Sequence, residues 1–542
     1  MRMKGSALMG CLLLAGAGFA QGATFLNGVV MADAPLTNAK VTVIDKWGKQ
    51  KTALTDRKGH WRLEASTLTP PLLVSATDLT PRDGHITQNC RYNDKPRTRC
   101  MASVVTALPR NGNTTVNITP LTDRIVSEIA QKLGYIGPQQ WVESGNAGQM
   151  REEFLTAPLN AMRAGLSQAL TQAGVSHVDR YNPITTPLRD DGKGAEALLQ
   201  VINHNRGYHN DSGEASGTIL TDIRFRPILG FSDVSTTHDT SSYERFDYLR
   251  AKGELEAIKS AKVRILIVSD STAATYEESR LPRMGWGQVF QERFRNDSGV
   301  AVLNGARAGR SSRDFYNEGW YQQMARFMKA GDYVFIAHGH NDQNCNSAKP
   351  VRGAADVKNL CTYPNDSNGN KQYPEGQPQL SFQNSLERYI ALARRQGARP
   401  IIMTPTTRVM TAERKPAFEN GDTTPVGSSH WTKQNSENGY AYVGDYAATI
   451  RKTAADNRIP FIDLERKTID FVNQHRDDWK SYWLAVDPND PRYPYYKTQT
   501  SGTLDNPDRT HFQQKGAEAV AGIVAEGIAQ QPALVELAAK LK

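Results

Sequence analysis

Four short stretches of this chain carry residue types that could work together on an ester or a metal-bound substrate. Ser269-Asp270-Ser271-Thr272 offers hydroxyls beside a carboxylate. A serine in such a run is on its own a turn former, and it becomes a nucleophile only with a base beside it. Asn304-Gly305-Ala306-Arg307-Ala308-Gly309-Arg310-Ser311 is a loop whose glycines allow a tight turn with exposed N–H groups. Gly339-His340-Asn341-Asp342 adds a side-chain amide. Asp508-Arg509-Thr510-His511 sets a carboxylate three residues before an imidazole. That carboxylate could orient the ring for general-base work, or it could only cap the helical pattern that begins near Gln513. A second chemistry also fits: His338, His340 and Asp342 have the H-x-H-x-D spacing of two-metal hydrolases, although Gln343 stands where that pattern wants another histidine.

The elements that must hold these stretches are legible in the apolar pattern. Short apolar runs at 263–268, 300–303, 333–337, 401–403 and 460–462 alternate with amphipathic segments around 289–294, 321–328, 386–392 and 446–455. Continuous apolar strands alternating with helices predict an α/β fold, a parallel sheet covered on both faces. In such sheets ligands sit beyond the carboxyl ends of the strands. Three of the four stretches lie there.

Taken in chain order, the four blocks resemble those of the SGNH, or GDSL, hydrolases. The resemblance covers residues 262–529 and implies a three-layer α/β/α catalytic domain. It further implies Ser271 as nucleophile, Asp508 and His511 as its partners, and an oxyanion hole made by the Ser271 and Gly309 N–H groups and the Asn341 amide. The nucleophile block departs from the family pattern at Ser269, where the family usually has glycine. With Gly285-Trp286-Gly287 and Gly309-Arg310-Ser311, the blocks look most like rhamnogalacturonan acetylesterases and bacterial pectin acetylesterases. The implied activity is removal of acetyl groups from pectin, homogalacturonan or rhamnogalacturonan, through an acetyl-enzyme, and it calls for no metal or cofactor.

Substrate contacts are expected from Trp286, Arg310, Trp483 and Tyr495. The last two belong to a stretch that also holds Trp479, Tyr482, Tyr493 and Tyr496 among Lys480, Arg492 and Lys497. Its rings could stack on sugars while the cations meet uronate carboxylates, or the loop could pack its rings on itself. The segment 343–379 follows the Asn341 block and could wall the cleft.

The remaining chain sets the context. The 542 residues exceed one small module, and 39% hydrophobic with 22% charged residues is a globular composition. A formal charge of +9 suits a polyanionic partner, but no dense Lys/Arg run points to nucleic acid. Arg2 and Lys4 before an apolar run, with Gly18 and Ala20 before a cleavage point, read as a signal peptide over 1–20. The protein is therefore expected outside the cytoplasm, extracellular or periplasmic. Leu8-Met9-Gly10-Cys11 resembles a lipobox, but most apolar residues follow Cys11, which argues against lipid anchoring. The other four cysteines predict disulfides Cys90–Cys100 and Cys345–Cys361.

Period-two patterning between Thr24 and Leu108 predicts an N-terminal β-sandwich accessory domain over 24–115. Its Thr55-Asp56-Arg57-Lys58-Gly59-His60-Trp61 run resembles carboxypeptidase-regulatory-like, transthyretin-type sandwiches. Helical periodicity then predicts a bridging region and linker over 116–250, with loops at 207–218 and 232–242, before the catalytic domain at 251–542. The expected partner is an acetylated pectic polysaccharide, and the chain is expected to be a monomer. Other acetylated glycans, short-chain lipid esters, or a non-enzymatic glycan-binding role are the alternatives.

Overall fold

The computed structural model describes residues 23–80, 90, 99–189, 191–208, 215–228, 246–276, 278–343, 345, 360–373, 376–419, 421–432 and 444–542. The expected signal segment, with Cys11, and the expected loop at 232–242 lie outside the described residues.

The catalytic half is built on a five-stranded, all-parallel sheet. Val263–Ser269 lies between Val300–Asn304 and Tyr333–Ala337, and Arg399–Met403 and Phe461–Ile462 extend the sheet beyond the latter. The strands are apolar through their middles because both faces are covered, and alternate residues serve different layers. Leu266, Val268, Leu303, Val334, Ile336 and Ile402 enter one hydrophobic cluster. Ile265, Ile267, Val302, Phe335, Ile401 and Met403 enter the other. The first face meets Phe382–Arg395 and Tyr446–Asn457, and the second meets Leu464–Gln474 and Gln514–Ala529. This is the expected α/β/α sandwich.

A small antiparallel sheet stands at one edge of this layer. In it Asp508–Gln513 pairs with Arg283–Met284 on one side and Trp483–Leu484 on the other. The Asp508 block is thus a strand, and Gln513, not Asp508, stands at the N-terminal cap position of the helix Gln514–Ala529, with no side-chain cap bond.

The N-terminal region forms two sheets. Thr24–Val29 is flanked by His60–Glu64 and Gly112–Thr115, and a four-stranded sheet runs Gln50–Leu54, Lys40–Ile44, Leu72–Thr77, Cys100–Val105. Leu26, Trp61, Val41, Val43 and Val74 are buried in the same cluster that covers the first face of the catalytic sheet. The core is therefore continuous from the N-terminal sheets into the catalytic half, a tighter union than separate modules on a linker.

The bridging region differs from its helical expectation. Pro120–Lys132 and Thr156–Gln172 are helices, but Ile202–Tyr208 and Ala215–Asp222 form an antiparallel hairpin joined by Pro227–Ile228. The loop expected at 207–218 therefore overlaps two strand ends. A buried polar cluster explains the pairing. Asp123, fully buried on the first helix, lies 2.8 Å from His204 Nε2 and accepts from Arg206 Nη2 at 2.7 Å and Thr218 Oγ1 at 2.5 Å. A buried carboxylate needs such partners, and hydropathy periodicity carries no record of them.

Both expected disulfides are present, Cys90–Cys100 and Cys345–Cys361. Among the described residues no helix is long and apolar enough to cross a membrane.

Candidate active site

The strand Val263–Ser269 ends by delivering Ser271 into a turn. Asp270 shapes that turn: its Oδ1 accepts from the Thr272 backbone N–H at 3.0 Å and from the Thr272 hydroxyl at 2.9 Å. Burial pushes the Asp270 carboxyl up to about 6. Ser269, the departure from the family pattern, is fully buried and donates its hydroxyl to the Ala337 carbonyl at 2.7 Å, so the extra side chain ties two strand ends together. Gly285 and Gly287 press on the back of the turn. A Cβ on Gly285 would meet the Ala274 carbonyl oxygen at 2.3 Å, and the Trp286 N–H donates to Thr272 at 3.0 Å.

Since the segment after Arg283–Met284 grips the serine turn, and that strand pairs with Asp508–Gln513, one short stretch positions both halves of the site. Ser271 Oγ lies 2.8 Å from His511 Nε2, and His511 Nδ1 lies 2.6 Å from Asp508 Oδ2. Asp508 Oδ1 also accepts the Thr510 and His511 backbone N–H groups at 2.9 and 3.1 Å. Burial acts to raise the Asp508 carboxyl, but the His511 imidazole beside it and Arg283 hold it far below the usual carboxylate range. Burial, then the Arg283 charge, lowers His511 from its usual 6.5, which leaves the ring neutral and able to accept a proton.

Two further loops close on this line. Gly309 adopts φ +77°, a left-handed conformation that disfavours any side chain. Asn341 Nδ2 donates one hydrogen to the Arg310 carbonyl at 3.1 Å, which links the second and third blocks. Asp342 extends the link, accepting the Ser312 N–H at 2.8 Å and its hydroxyl at 2.6 Å.

The H-x-H-x-D residues do not converge on a common point. His338 is fully buried against the rings of Phe315 and Tyr389, Asp342 is engaged by Ser312, and His340 faces His430. Among the described residues no group of three or more His, Cys, Asp or Glu side chains could hold a metal ion.

Three of the expected substrate contacts are corrected. Trp286 is fully buried and packs edge-on against Phe290, behind the serine turn. Arg310 is 1% exposed and pairs with Glu318 at 3.1 Å. Trp483 is fully buried edge-on against Phe512. Trp479, Tyr482 and Tyr496 are also buried, so most of the aromatic stretch packs on the protein. Tyr495 stays half-buried, with Arg280 4.3 Å from its ring centroid. Part of the expected cleft wall at 343–379, residues 346–359 between Cys345 and Cys361, lies outside the described residues.

The site also holds side chains that no sequence block singled out. Arg408 donates to the His340 carbonyl at 3.2 Å and to Gln343 Oε1 at 3.2 Å, and its charge also lowers His511. Behind His340, His430 Nε2 lies 3.2 Å from His340 Nδ1, and His430 Nδ1 lies 2.5 Å from Glu465 Oε1. Tyr276 donates its hydroxyl to the Ser271 carbonyl at 2.7 Å. Arg408 follows the strand Arg399–Met403, so the strand-end rule that exposed the other blocks also reaches it. The His430–Glu465 pair has no such signal.

Residues 270–519 match the GDSL-like Lipase/Acylhydrolase family. The rhamnogalacturonan acetylesterase RhgT of Bacillus subtilis is 29% identical over 268 residues, which is 49% of this chain and 89% of the relative. A rhamnogalacturonan acetylesterase of Emericella nidulans is 40% identical over 78 residues, 14% of this chain and 28% of that one. Among solved structures, a catalytic mutant of an acetylxylan esterase from Geobacillus stearothermophilus aligns with 50% of this chain and 96% of its own, at 13% identity and a TM-score of 0.28. Residues 270–519 are thus a GDSL/SGNH lipase-acylhydrolase domain, and this part of the chain is that of an ester hydrolase.

Proposed function

We propose that the chain is an exported serine esterase that removes acetyl groups from pectic polysaccharide through an acetyl-enzyme. The observation that carries this reading is the hydrogen-bonded line Ser271–His511–Asp508, at 2.8 and 2.6 Å, beside the Gly309 and Asn341 loops. In this scheme His511 Nε2 takes the Ser271 proton as Oγ attacks the acetyl carbonyl, and Asp508 stabilises the imidazolium. The negative charge that develops on the carbonyl oxygen meets the Ser271 and Gly309 N–H groups and the Asn341 amide, each worth about 3 to 4 kcal/mol. His511 then returns the proton to the departing sugar oxygen. Water, activated by the same imidazole, attacks the acetyl-enzyme and releases acetate.

The acetylated, acidic substrate is supported by the named relatives and by cations around the serine. Arg283 and Arg408 both bear on His511, and Arg280 lies beside the half-buried Tyr495. Export is supported by the N-terminal pattern and the two disulfides. The test is acetate release from acetylated rhamnogalacturonan, homogalacturonan and xylan, with Ser271→Ala as control. Release from the pectic polymers by the native protein and not by Ser271→Ala is expected. Activity confined to xylan or lipid esters would overturn the substrate class.

A further inference from the structure

At the opposite end of the catalytic sheet from Ser271 lies a cavity of about 440 Å³ whose lining includes Lys259, Arg264, Arg326, Lys329, Phe327 and Asp33. Three parts of the chain build it. Asp33 comes from the N-terminal region, Lys259 from the helix Tyr248–Ser260, and Arg326 to Lys329 from the turn after Trp320–Ala325. Arg264 stands at the start of the strand whose far end leads to Ser271, so at ~3.3 Å per residue the two sites are about 20 Å apart.

The lining is strongly cationic. Arg264 is 2% exposed, and Arg326 bridges Asp33 and Asn203. Asp33 is shared with Arg99 at 2.9 Å, and Asp332 is engaged by Arg264 at 3.2 Å. The lining itself thus sets four cations, Lys259, Arg264, Arg326 and Lys329, against one carboxylate, Asp33. The buried Nε atoms of both Arg264 and Arg326 have no hydrogen-bond partner among the described residues, and Lys259 and Lys329 are exposed. The cavity lies within the ~300–1,000 Å³ of small-molecule sites. The Arg326 guanidinium lies over the Phe327 ring, 4.5 Å from its centroid, and guanidinium and ammonium groups suit carboxylates.

We propose that this cavity is a second binding site, separate from Ser271, for an acidic saccharide whose uronate carboxylates meet Lys259, Lys329 and the two arginines. The choice of a uronate over another anion rests on the pectic reading above. A polymer held here stays at the enzyme surface between turnovers, which raises its effective concentration at Ser271 without altering the chemistry there.

Calorimetric titration of the full chain with unesterified trigalacturonate, and separately with inorganic phosphate, tests this. The variant is Lys259→Gln with Lys329→Gln, two exposed positions outside the ester-cleaving site. Trigalacturonate should bind the native protein, bind the double variant at least tenfold more weakly, and bind more tightly than phosphate. The variant should keep its turnover of p-nitrophenyl acetate. Equal trigalacturonate affinity in both proteins, no binding at all, or phosphate binding as tight as the sugar acid would overturn the proposal. Acetate release from acetylated rhamnogalacturonan, measured alongside, separates the two ideas. Release without cavity binding sinks only this site, and cavity binding without release sinks only the pectic reading.

Discussion

Replacing Asn341 by alanine isolates the proposed oxyanion donor from the rest of the machinery. Its Nδ2 carries two hydrogens, and the structure commits one to the Arg310 carbonyl at 3.1 Å, leaving one for the substrate oxygen. The committed bond is neutral and partly buried, so its loss should cost about 1 kcal/mol of stability. The other hydrogen acts mainly when negative charge has formed, where one such donor is worth about 3 to 4 kcal/mol. The two numbers differ enough to be read apart. In Asn341→Ala, kcat for p-nitrophenyl acetate should fall about 100- to 1,000-fold, while KM stays within a small factor because the ground state loses little. Initial rates across substrate concentration, with a urea unfolding curve on the same preparation, give both quantities. A fall of less than about tenfold, or a loss expressed in KM alone, would refute this placement of the donor.

Other expectations follow from the same geometry. The acid limb of kcat/KM should lie below pH 6.5, because burial and Arg283 lower His511 and activity is lost only as the ring protonates; a limb above 6.5 would contradict this. Glu465→Gln removes a charged partner from His430 and should cost about 1.5 to 3 kcal/mol in urea unfolding; an unchanged midpoint would mean that the His340–His430–Glu465 chain contributes nothing. Hydrolysis of acetylated pectin should weaken as salt shortens the Debye length from about 30 to about 10 Å, while p-nitrophenyl acetate hydrolysis should not; parallel responses would argue against polyanion attraction.

The parallel sheet was readable because strands buried on both faces leave unbroken apolar runs, and the functional loops were readable because parallel topology puts them after those runs. Ser271, Gly309, Asn341, Asp508 and His511 stand in blocks with local signatures, and the fold brings Ser271, Asp508 and His511 into hydrogen-bonding line. Residues whose role depends on a distant partner were not readable. Arg310 looked like a cleft cation, but Glu318, eight residues on, takes its guanidinium into the interior. Trp286 and Trp483 read as substrate contacts, yet each fills a gap that only the packed aromatic neighbours define. The hairpin at 202–222 was hidden for the same reason, since its polar residues pair with Asp123 some eighty to ninety-five positions earlier.

The central claim is that Ser271 is the nucleophile, and covalent trapping tests it most directly. The protein would be incubated with diethyl p-nitrophenyl phosphate, the residual esterase activity followed, and the modified peptides mapped by mass spectrometry. The account predicts one diethylphosphoryl adduct, on Ser271, appearing in step with the loss of acetate release, and no adduct in His511→Ala on the same timescale. Full modification of another serine in step with inactivation, or modified Ser271 with undiminished hydrolysis, would contradict it.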